Sequence, residues 1–119
     1  AAAGLSGLGV IRAAQEKDKY VIGADSDQGY LAPDHVLTNG LKLVNNTVLL
    51  AVQSILDGSF TPGVHSLGLA EGVLGYSENL VAPEVKARGD ELAQRISAGE
   101  LVPPATLDAV ESWLAENRS

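Results

Sequence analysis

The chain has 119 residues, 45% of them apolar and 19% charged, which suits one packed domain and excludes a disordered polyelectrolyte. Its formal net charge is −7, with no cluster of Lys or Arg, so a nucleic-acid groove or an anionic membrane surface is not expected as a partner. The lack of Cys excludes a disulfide scaffold, a thiolate nucleophile and a zinc–thiolate site within these residues, and no apolar run reaches the ~20 residues of a membrane span.

Gly4-Leu5-Ser6-Gly7-Leu8-Gly9 leads into a helix predicted over residues 8–17, with Leu8, Ile11 and Ala14 on one side and Ser6 placed to cap it. Residues 20–24 read as a short apolar strand ending at Asp25, the pattern of a parallel-sheet strand covered on both faces. Residues 25–33 are loop chemistry. Val36-Leu37-Thr38 is a second strand, turned by Asn39-Gly40. Asn45 or Asn46 is placed to cap a helix over residues 47–57, carrying Val48, Leu49, Val52, Ile55 and Leu56 and closed by Gly58. Alternation predicts a third strand over residues 64–69, followed by a glycine-rich loop to Gly75. Pro83 opens a helix that presents Val85, Leu92 and Ile96 on one face and ends at Gly99. A last helix over residues 107–117 places Val110, Trp113 and Leu114 along one side, with Trp113 expected in the core. Helices alternating with strands predict an α/β architecture. Three short strands are too few for a sheet flanked on both faces, so partner strands are expected from outside this stretch.

Backbone N–H groups of the glycine-rich start, around Gly4, Leu5 and Ser6, suit an anion or a ligand hydroxyl, or else close packing of a helix start. The spacing is neither that of a dinucleotide fingerprint nor that of a phosphate-binding loop. Asp25 follows a strand directly and so lies at the carboxyl edge of a sheet, where ligands bind in open α/β folds. A carboxylate there accepts two hydrogen bonds from neighbouring sugar hydroxyls. Together Asp25 and Asp27 could instead hold a divalent metal or simply form Asx turns. Lys42, the only Lys between residues 20 and 85, is a ligand donor, a neutraliser of Asp25 or a snorkelling surface side chain. His35 and His65 stand apart from any triad pattern, and Asp90-Glu91 reads as a solvated face. No paired acid and base stand out, so binding is expected rather than catalysis, with no cofactor and no metal.

Val21-Ile22-Gly23-Ala24-Asp25-Ser26-Asp27-Gln28, Val36-Leu37-Thr38 and Lys42-Leu43-Val44-Asn45-Asn46 resemble the basic membrane protein (BMP) family. The glycine-rich start with Gly-Val-Ile-Arg-Ala-Ala, Asp57-Gly58, the stretch from Val64 to Gly68, and Gly99-Glu100 with Val102-Pro103 extend the resemblance from Gly4 to Pro103. Where the family has a Ser-Met-Val-like stretch before its Lys, this chain has Asn39-Gly40-Leu41. The resemblance implies a substrate-binding protein of an ABC importer, with purine nucleosides as family ligands and a membrane permease as partner. It implies part of a type I periplasmic-binding-protein fold, two α/β lobes closing on a cleft, with the N-terminal portion missing. Residues 1–41 would be an αβ segment of the C-lobe, residues 42–66 a crossover into the other lobe, and residues 67–119 a return segment with C-terminal helices. Asp25 would hold the ribose hydroxyls, with Asp27 as the alternate. Lys42 would contact the ligand from the cleft wall, and Gly4, Leu5 and Ser6 would lie near it at a helix start. The protein would be extracytoplasmic, tethered by a lipid anchor that precedes this stretch. The chain would need the rest of its parent protein, or a second copy, to be stable. A binding protein for another sugar-like ligand, a metal-dependent α/β enzyme using Asp25 and Asp27, and a non-catalytic assembly domain are the other readings.

Overall fold

The computed structural model describes residues 4–117. A 3-10 turn, Gly4–Ser6, runs into helix α1 (Gly7–Glu16), followed by strand β1 (Val21–Asp25), strand β2 (Val36–Lys42), helix α2 (Val44–Leu56), strand β3 (Leu74–Tyr76), helix α3 (Pro83–Ser97) and helix α4 (Val110–Asn117), with further 3-10 turns at Gly29–Leu31 and Leu107–Ala109. The sheet order is β1-β2-β3, with β1 and β2 parallel and β3 antiparallel to β2. Among the described residues no helix is long and apolar enough to cross a membrane.

The core is small: Ile11 and Ala14 of α1 pack with Val21, Ala32 and Val36. Their spacing in α1 puts both on one face, toward the strands. The α/β reading is correct. A four-residue turn reverses the chain between α1 and β1.

One irregularity decides what faces inward. Val21 pairs with Val36, but the register then shifts, so that Ile22 lies opposite Thr38 and Gly23 opposite Asn39. The extra residue on β2 re-aims the side chains that follow it. Val36 and Asn39, three positions apart, are therefore both fully buried.

Several local expectations need correction. Residues 64–69 form no strand, and Val64 is fully exposed. The third strand is β3, within the stretch read as glycine-rich loop, because Leu74, Gly75 and Tyr76 pair with Lys42, Leu41 and Gly40. Pairing with β2 overrides the weak strand propensity of a Leu-Gly-Tyr stretch. The expected turn at Asn39-Gly40 is the middle of β2, which continues to Lys42. Neither Ser6 nor an Asn caps a helix as expected. The Ser6 side chain makes no cap bond, α2 starts at Val44, and the Asn46 amide instead donates to the Gly72 carbonyl at 2.7 Å. β1 is not covered on both faces, since Ile22 is 54% exposed. Asp90 is not merely solvated: Tyr76 Oη and Lys86 Nζ each donate to its carboxylate at 2.7 Å, tying α3 to β3. Lys86, then Tyr76, holds the Asp90 carboxyl below its usual range. Trp113 lies only partly buried, with Nε1 donating to the Val102 carbonyl at 2.6 Å.

α2 buries none of its 13 residues, and it packs extensively against no other helix or strand among the described residues. Its entry is held by the Leu43 N–H on the Val73 carbonyl and by Asn46 on Gly72. The radius of gyration is 17.0 Å, against about 13.5 Å for a compact chain of this length.

Candidate functional site

The carboxyl edge of the parallel pair gathers the residues that the sequence singles out. Asp25 ends β1 and Lys42 ends β2, and because the strands are parallel both ends lie on one edge. Lys42 Nζ sits 3.4 Å from Asp25 Oδ1, with both side chains about two-thirds exposed. Such an exposed pair contributes about 0–1 kcal/mol, so it neutralises Asp25 without locking it. A ligand hydroxyl at this edge would meet an acceptor and a donor side by side.

Asp25 is also bent. Its φ is +70°, and the Ser26 N–H donates to the Ala24 carbonyl at 3.0 Å, closing a three-residue turn centred on Asp25. A left-handed conformation at a non-glycine residue costs about 1 kcal/mol or more and persists only where the surroundings enforce it.

Asp27, two residues on, has a different environment. Its Oδ1 accepts the Gly29 N–H at 2.9 Å, Asn39 Nδ2 at 2.9 Å and Asn79 Nδ2 at 3.0 Å. The Gly29 N–H, then the Asn79 amide, holds its carboxyl below the ordinary value. Asn39 in turn donates through both its backbone N–H and Nδ2 to Ser77 Oγ, each at 2.9 Å, and the Ser77 N–H returns a bond to the Asn39 carbonyl. That use of the amide leaves Asn39 Oδ1 buried with no donor among the described residues. Turning the amide over would set Oδ1 against the Asp27 carboxylate, acceptor against acceptor, which is worse.

Two glycines make room for this cluster. A Cβ on Gly23 would lie 1.9 Å from Asn39 Oδ1, and one on Gly29 would lie 2.1 Å from Asn79 Nδ2. In the sequence, Asn39 reads only as a turn residue, and Ser77 and Asn79 are not singled out. The available signal was Gly23, an isolated glycine inside an apolar strand, which marks a close approach.

Gly4, Leu5 and Ser6 form the exposed turn before α1, and Gly4 has φ +53°. Among the described residues no group of three or more His, Asp or Glu is arranged to hold a metal ion. His35 Nδ1 lies 3.3 Å from the Lys19 carbonyl and His65 Nε2 2.8 Å from that of Thr61, so each engages nearby backbone.

Residues 1–103 match the family model Bmp, described as ABC transporter substrate-binding protein PnrA-like. The chain belongs to this family. It is 35% identical over 121 residues to Basic membrane protein A of Borreliella burgdorferi, a match covering 97% of this chain and 36% of that protein. Basic membrane protein D of the same species is 38% identical over 112 residues, covering 87% of this chain and 33% of the relative. A crystal structure of ABC transporter system solute-binding proteins from Aeropyrum pernix K1 superposes with a TM-score of 0.71 at 25% identity, covering 97% of this chain and 44% of that one. The PnrA-like chain thus spans about a third of the length of the curated relatives it matches. The fold is that of a portion of an ABC solute-binding protein.

Proposed function

We propose that this chain forms part of the extracytoplasmic solute-binding component of an ABC importer, which closes two lobes on a nucleoside or similar ribosyl ligand. Binding, not catalysis, is the function, and a membrane permease receives the closed form. The observation that carries this reading is Asp25, bent into a left-handed turn beside Lys42 at the carboxyl edge of the parallel pair. Strained backbone of this kind concentrates at ligand sites. In the proposal Asp25 accepts the two ribose hydroxyls, Lys42 donates from the cleft wall, and the N–H groups of Gly4, Leu5 and Ser6 complete the edge. Family membership supports the transport role and the extracytoplasmic location, with a lipid anchor as the tether.

The lobes divide as the sequence suggests, with residues 1–41 in one, residues 42–66 crossing to the other and residues 67–119 returning. The antiparallel run of β3 beside Gly40, Leu41 and Lys42 supports this, since an outgoing and a returning strand side by side are what a connection between lobes needs. The remaining portion of the two-lobed fold would then cover α2. Expressed by itself, the 119-residue chain is expected to self-associate or unfold without a sharp transition, because α2 leaves its apolar side chains in water. Size-exclusion chromatography and thermal unfolding check this; a cooperative monomer would show that α2 needs no cover, and a discrete dimer that a second copy supplies it.

Calorimetric titration of the whole protein tests the ligand class. Adenosine or guanosine is expected to bind much more tightly than the free base or free ribose, because each half supplies separate contacts. Binding of ribose or another sugar in place of nucleosides would favour the second reading, a binding protein for a sugar-like ligand, and binding of none of these would overturn both.

A further inference from the structure

We propose that Asp27 is a positioning residue: through Asn39, Ser77 and Asn79 it ties the loop after β1 to β2 and to the segment after β3, and so holds Asp25 in its left-handed turn. A non-glycine residue at φ +70° relaxes unless neighbouring structure fixes the chain on both sides of it. On one side the ladder does this, with Ala24 opposite Gly40 and Asp25 opposite Leu41. On the other side the ladder has ended. The Lys42 contact is a single exposed pair, too weak to set the backbone.

Asp27 supplies the second anchor. Its Oδ1 collects N–H donors from three segments: its own loop at Gly29, β2 at Asn39, and residue 79 beyond β3. A carboxylate oxygen offers about two lone-pair positions, so three donors leave Oδ1 with none for a ligand hydroxyl. Asn39 is itself immovable, being fully buried, bonded twice to Ser77 Oγ and set opposite Gly23. The buried Asn39 Oδ1 goes without a donor to keep its Nδ2 on Asp27 and Ser77. The two carboxylates of the Asp-Ser-Asp loop thus divide the work, one offered to the ligand and one bonded to the frame.

The binding arm of the test rests on the ligand reading above, and the unfolding arm does not. In the whole protein, Asp27→Ala is expected to weaken adenosine binding about tenfold, as loss of a charge-assisted anchor does. Asp27→Asn keeps an oxygen for the three donors and is expected to stay within about threefold of wild type. Unfolding midpoints are measured for wild type, Asp27→Ala, Asp25→Gly and the double variant. The loss caused by Asp27→Ala should be larger in the Asp25→Gly background, because in wild type the released strain of the turn offsets part of the lost bonding, whereas glycine has no strain to release. A cluster that merely stabilises the fold would give equal losses in both backgrounds, and that result overturns the proposal. Wild-type affinity in Asp27→Ala, or an Asp27→Asn variant as weak as Asp27→Ala, would overturn it as well. If the wild-type protein binds no nucleoside, the ligand reading falls, and the unfolding cycle still decides whether Asp27 holds Asp25.

Discussion

Asp25→Gly and Asp25→Ala in the whole protein are expected to lose ligand affinity alike, by about 1–3 kcal/mol, and to part company in stability. Both remove the charged acceptor of the ribose hydroxyls, and a hydrogen bond to a charged group is of that size. Their backbones differ. Position 25 sits at φ +70°. Alanine keeps that strain, and it tolerates the left-handed region less well than Asp does. Glycine removes it, and the gain of about 1 kcal/mol meets a similar entropic loss from a looser unfolded chain. The expected order of unfolding midpoints is therefore Gly equal to or above Asp, and both above Ala. Titration calorimetry and thermal unfolding of the three proteins check the result. Undiminished affinity in either variant would remove Asp25 from the site. Ala above Gly would mean that the turn stores no strain.

Gly23→Ala is expected to be the most damaging small substitution in the chain. The new methyl group would sit 1.9 Å from Asn39 Oδ1 and 3.2 Å from Gln28 Oε1. Asn39 cannot yield easily, because its Nδ2 and its backbone are both bonded. Either β1 moves away from β2 or the Asn39 amide leaves Asp27 and Ser77. Overpacking of this kind costs about 1–3 kcal/mol, and an orphaned buried amide adds to that. Urea denaturation of the whole protein measures the loss. Adding Asn39→Ala to Gly23→Ala should recover part of it, since the obstructing oxygen is then gone. A Gly23→Ala protein as stable as wild type would show that β1 and β2 separate freely at this point.

The α/β class, the boundaries of α1 and α3, and the placing of Asp25 at a strand end were all legible, because each rests on local pattern. Ile11 and Ala14 show their shared face directly, and Pro83 and Gly99 mark the limits of α3. What was not legible depended on partners distant in the chain. Leu74-Gly75-Tyr76 has little strand character of its own and becomes β3 through Gly40, Leu41 and Lys42. Asn39-Gly40 carries strong turn chemistry, yet strand pairing on both sides holds it extended. The reach of Asn79 back to Asp27 spans 52 positions, beyond any local rule. Lys42 was open to three readings from its sequence context, and the structure shows it both beside Asp25 at 3.4 Å and about two-thirds exposed.

α2 bears on how such a chain is engineered. At 100° per residue, Val44, Ile55, Val48, Val52, Leu56 and Leu49 fall in an arc about 140° wide, and Leu50 lies outside it. Surface-exposure rules would mark Leu49, Ile55 and Leu56 as safe places for Lys or Glu, since each is at least 60% exposed. Those changes would make the 119-residue piece easier to handle and would spoil the same helix for the whole protein. Solubilising substitutions belong instead at Gln53, a polar position that lies outside the arc.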